Sequence, residues 1–259
     1  MAKDKEEMRV TTIARIDSSA VVKEVAEIFD IKDNLEGVTP RLPQIVIKHG
    51  AEMFAFPDES KSESFDGFIV DFVNCNAYWD KAVDEGGGDE PPRCASPDGI
   101  APNTDDPISA SCAGCAKNQF GSSQDGSKGK ACKNMRRLHI YLDSLGETVP
   151  YRLTVPPSSL RAVDEYLTVL TSKGLPYRAV RTVFSLEPMR KGGMEWSALK
   201  LRHEGVINTK EDAEMILRMK QTFLAAMRYQ EVRADEYGNG SVAADHPANK
   251  DSVNKDLPF

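Results

Sequence analysis

Strand-like runs of β-branched and aromatic residues recur through the middle of the chain. Turn-forming Gly, Pro, Asn, Asp and Ser residues separate these runs, which favours β-strands. The last two runs flank the sequence RKGG and predict a hairpin. About five or six strands are expected, carried by QIVIKHG, GFIVDFVNCNAYWD, RRLHIYLDS, VPYRLTVPP, YRAVRTVFSLEP and GGMEWSALKLRHEG.

Three other stretches repeat their apolar residues at helical spacing. The first runs from Ser18 to Asp30 behind a serine cap, and the second is PSSLRAVDEYLTVLTSKG, with a serine cap and a stop at Gly174. The third follows Thr209, with Asp212 as the acid three residues on. Their apolar faces are expected to contact the core or, for the first helix, a neighbouring subunit.

This order of elements predicts an α+β chain that is mainly β. One helix before the last two strands suggests a small OB-fold-like barrel, with that helix plugging one end. The domains expected are an N-terminal arm with a short helix over 1–40, an OB-like core over 41–230 and a disordered tail over 231–259.

A polar segment from Cys94 to Arg137 interrupts the strands and holds four of the five cysteines. It has few large apolar residues, so it cannot bury enough apolar surface to order itself. Four thiolates around one metal ion would order it, and an inserted zinc-binding subdomain over 81–137 is therefore expected. The ligands of this structural zinc would be Cys94, Cys112, Cys115 and Cys132.

The cysteine spacing is C-x17-C-x2-C-x16-C, one CxxC knuckle between two single cysteines. Structural zinc takes four tetrahedral ligands, and thiolate is a common one. Two alternatives stay open: four unrelated cysteines, or two disulfides, which the non-secretory start MAKDKEEMRV disfavours. Cys75 lies in an apolar run and is expected to be a small buried residue, and His139 is a weaker substitute ligand.

The net charge of −7 alone argues against binding to nucleic acid, because phosphate contacts need local positive charge. The charge is uneven, however. Six basic residues lie between Lys117 and Arg137 against one acidic residue, Asp125, and such a distribution outweighs the sum. The chain has no apolar run of about 18 residues, so no membrane span is predicted.

The chain closes on Asp256, Leu257, Pro258 and Phe259. The Phe259 ring can enter an apolar pocket while its carboxylate and Asp256 meet cations. This tip resembles the acidic, Pro-Phe-ending tip of bacterial single-stranded DNA-binding proteins. Within about residues 67–156, the stretches PPRCASPDG, CAGCAKNQFGS and SKGKACKNMRRL resemble phage-encoded proteins with a zinc-binding insert, which are associated with replication.

The resemblance implies an OB-fold, binding to single-stranded DNA, and a tip that docks replication or repair proteins and competes with DNA. Lys250 and Lys255 make this tail less acidic than the bacterial pattern. The expected location is the cytoplasm, that of the host cell if the protein is phage-encoded. Self-association through the N-terminal helix stays open.

Single strands are held by cations on phosphates and by aromatic rings on bases. Trp79, beside Asp80 and Lys81, is expected to expose the best stacking face, although core packing is at least as good an interpretation for any one ring. The candidate DNA contacts are Tyr78, Trp79, Lys81, Lys117, Phe120, Lys128, Lys130, Lys133, Arg136, Arg137, Tyr141, Tyr151 and Arg152.

The sequence thus predicts a protein that binds single-stranded DNA without strong sequence preference in replication, recombination or repair. No enzyme is expected, because GxGxxG, Walker A, HExxH and GxSxG motifs are absent and a four-cysteine zinc is coordinatively closed. The alternative is a zinc-ribbon transcription or polymerase accessory factor, which explains the insert and the basic patch but not the Pro-Phe terminus.

Overall fold

The structure, a computed structural model, describes residues 34–38, 41–48, 51–80, 91–123, 126–142, 149–191 and 194–232. Contacts divide the chain into Met1–Thr39 and Pro40–Phe259, and every element named here belongs to the second unit. The helix predicted from Ser18, Lys81 and the tail with its Asp256–Phe259 tip lie outside the described residues.

Nine strands of the described chain form one mixed sheet, accompanied by two α-helices. The strands are β1 (Gln44–Lys48), β2 (Met53–Ala55), β3 (Lys61–Ser62), β4 (Ser64–Tyr78), β5 (Cys94–Ser96), β6 (Lys133–Tyr141), β7 (Tyr151–Val155), β8 (Val180–Lys191) and β9 (Met194–Val206). The helices are α1 (Leu160–Ser172) and α2 (Lys210–Tyr229). Neither described helix combines the length and the apolar character needed to cross a bilayer.

The strands follow the order β3-β2-β1-β7-β6-β4-β8-β9, with β5 paired to β4. The β1–β7 pair is parallel and the other pairs are antiparallel. The sheet curls into a half-barrel, and the path of its described strands has two ends. The predicted α+β class with mostly strands is confirmed, whereas the OB-fold stays a prediction.

The strands that the pattern missed are the short ones. β2, β3 and β5 have only two or three residues each, too few to show a period of two. β3 lies in the polar stretch between the first two predicted strands, where Ser62 pairs with Phe54 of β2. Polar residues form this strand because the backbone of any residue can form ladder hydrogen bonds. The predicted β8–β9 hairpin is confirmed, with Lys191 opposite Met194.

The two helices pack against opposite faces of the sheet. α1 buries Val163, Tyr166 and Leu170 in a core that includes Ile69 of β4, and α2 packs on the neighbouring Phe68 and Val70. Successive side chains of a strand point to opposite faces, so β4 separates the two cores. The cysteine segment lies at the Tyr78 end of β4, because its strand β5 pairs with that end.

Candidate cysteine site and nucleic-acid interface

The four clustered cysteines converge on one cavity. Cys94 starts β5 and pairs with Tyr78 at the end of β4, while Cys132 immediately precedes β6. Cys112 and Cys115 form the knuckle between them, and all four cysteines line the same cavity with Tyr78. The chain therefore brings together the residues that their spacing had predicted as a group.

Backbone hydrogen bonds hold the knuckle in place. The Cys112 N–H donates to the Ile100 carbonyl at 2.9 Å, and the Cys132 N–H donates to the Lys117 carbonyl at 2.8 Å. The Asn118 side-chain amide donates to the Cys112 carbonyl at 2.8 Å. These contacts tie both ends of the segment to its centre, so the cysteines line one cavity although few large apolar side chains surround them.

The electrostatics of the cavity suit a bound cation. Burial, together with the neighbouring Cys112, Cys115 and Cys94, raises the pKa of Cys132 to about 12. Gathered thiolates repel one another, and a divalent metal reverses that effect because a coordinating thiol is deprotonated outright. The donor set therefore fits zinc, with Cys94, Cys112, Cys115 and Cys132 as the residues that would hold it.

All five cysteines are free thiols, so the two disulfides considered as an alternative are not formed. Within the described ranges, no three or more His, Cys, Asp or Glu side chains are arranged to hold a metal as they stand. The backbone places the four cysteines around one cavity. Coordination of a metal would also require their side chains to rotate so that the sulfur atoms converge. The zinc subdomain stays a prediction.

The fifth cysteine behaves as expected. Cys75 is fully buried and packs with Trp79, Met135 and Val232. His139 lies within β6 and is not among the residues that line the cysteine cavity, so it does not stand where a substitute ligand would be needed.

Among the candidate stacking residues, Phe120 has by far the most accessible ring. Its exposed fraction is 82%, and the Lys130 ammonium lies 5.0 Å from its centroid. Tyr78 is buried beneath Lys117, whose Nζ is 5.0 Å from the ring centroid. Tyr141 is half-buried and stacks on Phe68. These placements leave Phe120 as the ring that a base can reach directly.

Two aromatic predictions require correction. Trp79 is only 8% exposed and packs with Cys75 and Met135, so the prediction of an exposed face was wrong. The polar neighbours Asp80 and Lys81 did not indicate the exposure of Trp79, because adjacent residues of an extended chain point to opposite sides. Tyr151 is likewise buried, in the core beneath α1, and it cannot stack on a base from that position.

The candidate cations also divide into accessible and buried residues. Lys128 is exposed, and four others are half-buried: Lys117, Lys130, Lys133 and Arg136. Arg137 and Arg152 are buried, which corrects their assignment as direct phosphate contacts. The Arg137 guanidinium donates to the carbonyls of Gln230 and Glu231 at 2.6 and 2.8 Å. Each of these two arginines serves the interior of the protein.

Sequence reasoning missed a second group of cations, which surrounds the buried carboxylate of Asp71. Arg228 lies 2.8 Å from this carboxylate, Arg178 3.4 Å and Lys220 4.0 Å. The signal was present in the run FIVDFVNC, because one acid within an apolar strand must find partners when it is buried. The partners could not be read from the sequence, since α2 follows β4 by more than a hundred residues.

Comparison with known proteins found no match that could indicate the function. No protein-family model matches the chain, and no curated protein or solved structure matches it either.

Proposed function

We propose that this protein binds single-stranded DNA without strong sequence preference and acts in replication, recombination or repair. The observation that carries the proposal is the exposed Phe120 ring, which has the Lys130 ammonium over it and whose neighbour Gly121 bonds the Lys128 carbonyl. A lone exposed aromatic residue is common on protein surfaces. An aromatic face beside cations is the combination that holds bases and phosphates of a single strand.

The cysteine segment supplies the ordered platform in this proposal. A zinc ion on Cys94, Cys112, Cys115 and Cys132 would be fully ligated by protein, so its contribution is structural. Lys117, Lys128 and Lys130 contact phosphates while Phe120 stacks on a base. An OB-like surface of the half-barrel extends the binding path, and the Asp256–Phe259 tip recruits replication or repair proteins, as the resemblance implies.

The decisive experiment replaces Phe120 and compares it with a matched apolar residue of the same segment. Ile100 is 70% exposed, so Ile100→Ala removes a similarly accessible apolar group. Binding of a fluorescent oligo-dT strand is measured by anisotropy at two salt concentrations. We expect Phe120→Ala to weaken binding about 5- to 150-fold, the equivalent of losing one stacked base, and Ile100→Ala to change it little.

Wild-type affinity should also fall steeply with salt, because bound phosphates release counterions. Equal affinity for duplex and single strand, absence of a salt dependence, or identical behaviour of the two variants would each count against the proposal.

A further inference from the structure

The surface around Asp71 holds its cations in fixed positions. The carboxylate is 2% exposed and receives the Arg228 guanidinium at 2.8 Å. Arg178 donates through Nε to the Val70 carbonyl at 2.8 Å and approaches Asp71 at 3.4 Å. One buried acid thus orients two guanidinium groups from distant parts of the chain, with Lys220 4.0 Å away. We name Asp71, Tyr177, Arg178, Lys220 and Arg228 the Asp71 cluster.

The Asp71 cluster has more positive charge than its own carboxylate requires. Three cations surround one acid, and within the described ranges no second carboxylate forms an ion pair with any of the three. The side chains of Arg178, Lys220 and Arg228 remain 31%, 27% and 39% exposed. Two excess positive charges with solvent access form a site for an anion, and bidentate guanidinium groups favour phosphate or carboxylate.

Aromatic rings lie next to these cations. The Arg178 guanidinium is 4.6 Å from the Tyr177 centroid, and the Tyr177 and Phe72 centroids are 5.4 Å apart. Arg136 lies over Phe72 at 5.4 Å. Both rings are half-buried. Aromatic faces beside guanidinium groups are the arrangement that accepts bases and phosphates of a single strand.

One face of β4, opposite to the face that carries Asp71, leads from the Phe72 ring beside Tyr177 to the cysteine cavity. Phe72, Asn74, Asn76 and Tyr78 alternate along the strand and therefore share a face. Arg136 donates to Asn74 at 2.9 Å, and both Asn76 and Tyr78 line the cysteine cavity. The row from Phe72 to Tyr78 spans about 20 Å at the usual rise of a strand. Asn76 and Tyr78 are buried, so an extended ligand would reach this row at Phe72 and Asn74.

A buried histidine gives a second indication of positive potential at this place. His139 is directly opposite Asp71 in the β4–β6 pair and is 1% exposed. Among the residues that the structure describes, neither of its ring nitrogens has a hydrogen-bond partner. Burial, together with the positive charges of Arg152, Arg137 and Arg228, lowers its pKa to about 3. Those positive charges, unlike burial, also favour an anion.

We infer that the Asp71 cluster is a second phosphate-binding site, which holds the backbone of the same single strand that Phe120 contacts. Tyr177 and Phe72 offer their faces to its bases. Asp71 is a positioning residue, since it acts through Arg178 and Arg228. This inference rests on the proposed function and extends it to a surface on the other side of Tyr78.

The test compares two substitutions on the same helix. Lys220→Gln removes the cation that is farthest from Asp71 and leaves both arginine pairs in place. Arg218→Gln removes the same charge from an exposed position two residues away, on a different side of α2. We expect Lys220→Gln to reduce the slope of log affinity against log salt by about 0.7, the value for one phosphate contact on a single strand. Arg218→Gln should leave that slope unchanged.

Photo-crosslinking supplies a readout that needs no variant. A strand that contains 5-iodo-deoxyuridine should form a crosslink in the peptide that contains Tyr177. If the wild-type protein fails to bind oligo-dT, the proposed function and this inference fall together. If it binds while Lys220→Gln equals Arg218→Gln and no crosslink maps to that peptide, only the inference is overturned. Thermal melting of both variants checks that they are folded.

Discussion

Buried arginines perform an internal task in this protein. Arg137 donates to two consecutive backbone carbonyls after α2, and Arg152 bonds Gln44 at 2.8 Å as well as the side chain of Gln230. From the sequence alone, a basic residue beside a polar segment is expected to face the solvent. The strand register decides otherwise, because Arg137 pairs with the buried Val73 and lies where the chain leaving α2 crosses the sheet.

His139 makes stability depend on acidity. Its pKa is about 3 in the folded protein against an ordinary 6.5, so the unfolded chain binds more protons between these values and acid favours unfolding. Stability from this group is complete above about pH 6.5 and is lost as the pH falls. At pH 5 the loss should reach up to about 2 kcal/mol.

Urea unfolding of wild type and His139→Leu at pH 7 and pH 5 measures this effect. The loss between the two pH values should be smaller in His139→Leu by that amount. His203→Gln is the control, because His203 is exposed on β9, and it should keep the wild-type dependence. An unchanged pH dependence in His139→Leu would show that the imidazole is not held neutral.

At the scale of elements, the two helices begin in different ways. Thr209 accepts the Asp212 N–H at 3.2 Å and donates its hydroxyl to the Asp212 carboxylate, which confirms the predicted cap of α2. Ser159 stands at the start of α1 but makes no side-chain cap. Its hydroxyl instead accepts the Leu199 N–H of β9 at 2.9 Å, so the predicted serine cap was wrong.

This contrast shows what a local pattern can predict. The cap at Thr209 and the stop at Gly174, which has a positive φ of 68°, depend on neighbours within a few residues, and the sequence contains them. The role of Ser159 depends on a strand forty residues away. The same limit separates the cysteine cavity, which spacing predicted, from the Asp71 cluster, which needed the packing of α2 on β4.

Removing the Thr209 hydroxyl should weaken α2 at its first turn. We expect Thr209→Ala to lower the free energy of unfolding by about 1 kcal/mol, the usual contribution of such a cap. Thr209→Ser retains the hydroxyl and should stay near wild type. Denaturant unfolding of both variants provides the measurement, and equal stability of the two would argue against the cap.

At the scale of the whole molecule, the proposed metal would stabilise the cysteine segment, whereas the sheet does not depend on it. The strands have a large apolar core of their own, whereas the cysteine segment has only small clusters such as the one of Tyr78, Ala131 and Cys132. Metal removal should therefore affect the segment first. This difference in apolar packing explains why the sequence indicated a metal in the cysteine segment.

Purified protein should contain one zinc per chain by mass spectrometry, and Cys115→Ser should reduce that content. Chelation should open 97–131 to limited proteolysis while the strands from β6 to β9 stay protected. Cys75→Ser is the matched control, because this buried thiol lies outside the cysteine cavity, and its zinc content should remain that of wild type. A metal-free protein with an equally resistant segment would contradict the prediction.

β4 contributes to every one of the four apolar clusters of the described chain. Ile69 and Phe68 enter the cores of α1 and α2, Cys75 packs with Trp79, and Tyr78 packs with Cys132. Withdrawing this strand would expose all of them at once, so the strands that pack around β4 depend on one another. Unit Pro40–Phe259 should accordingly lose its sheet in a single cooperative step.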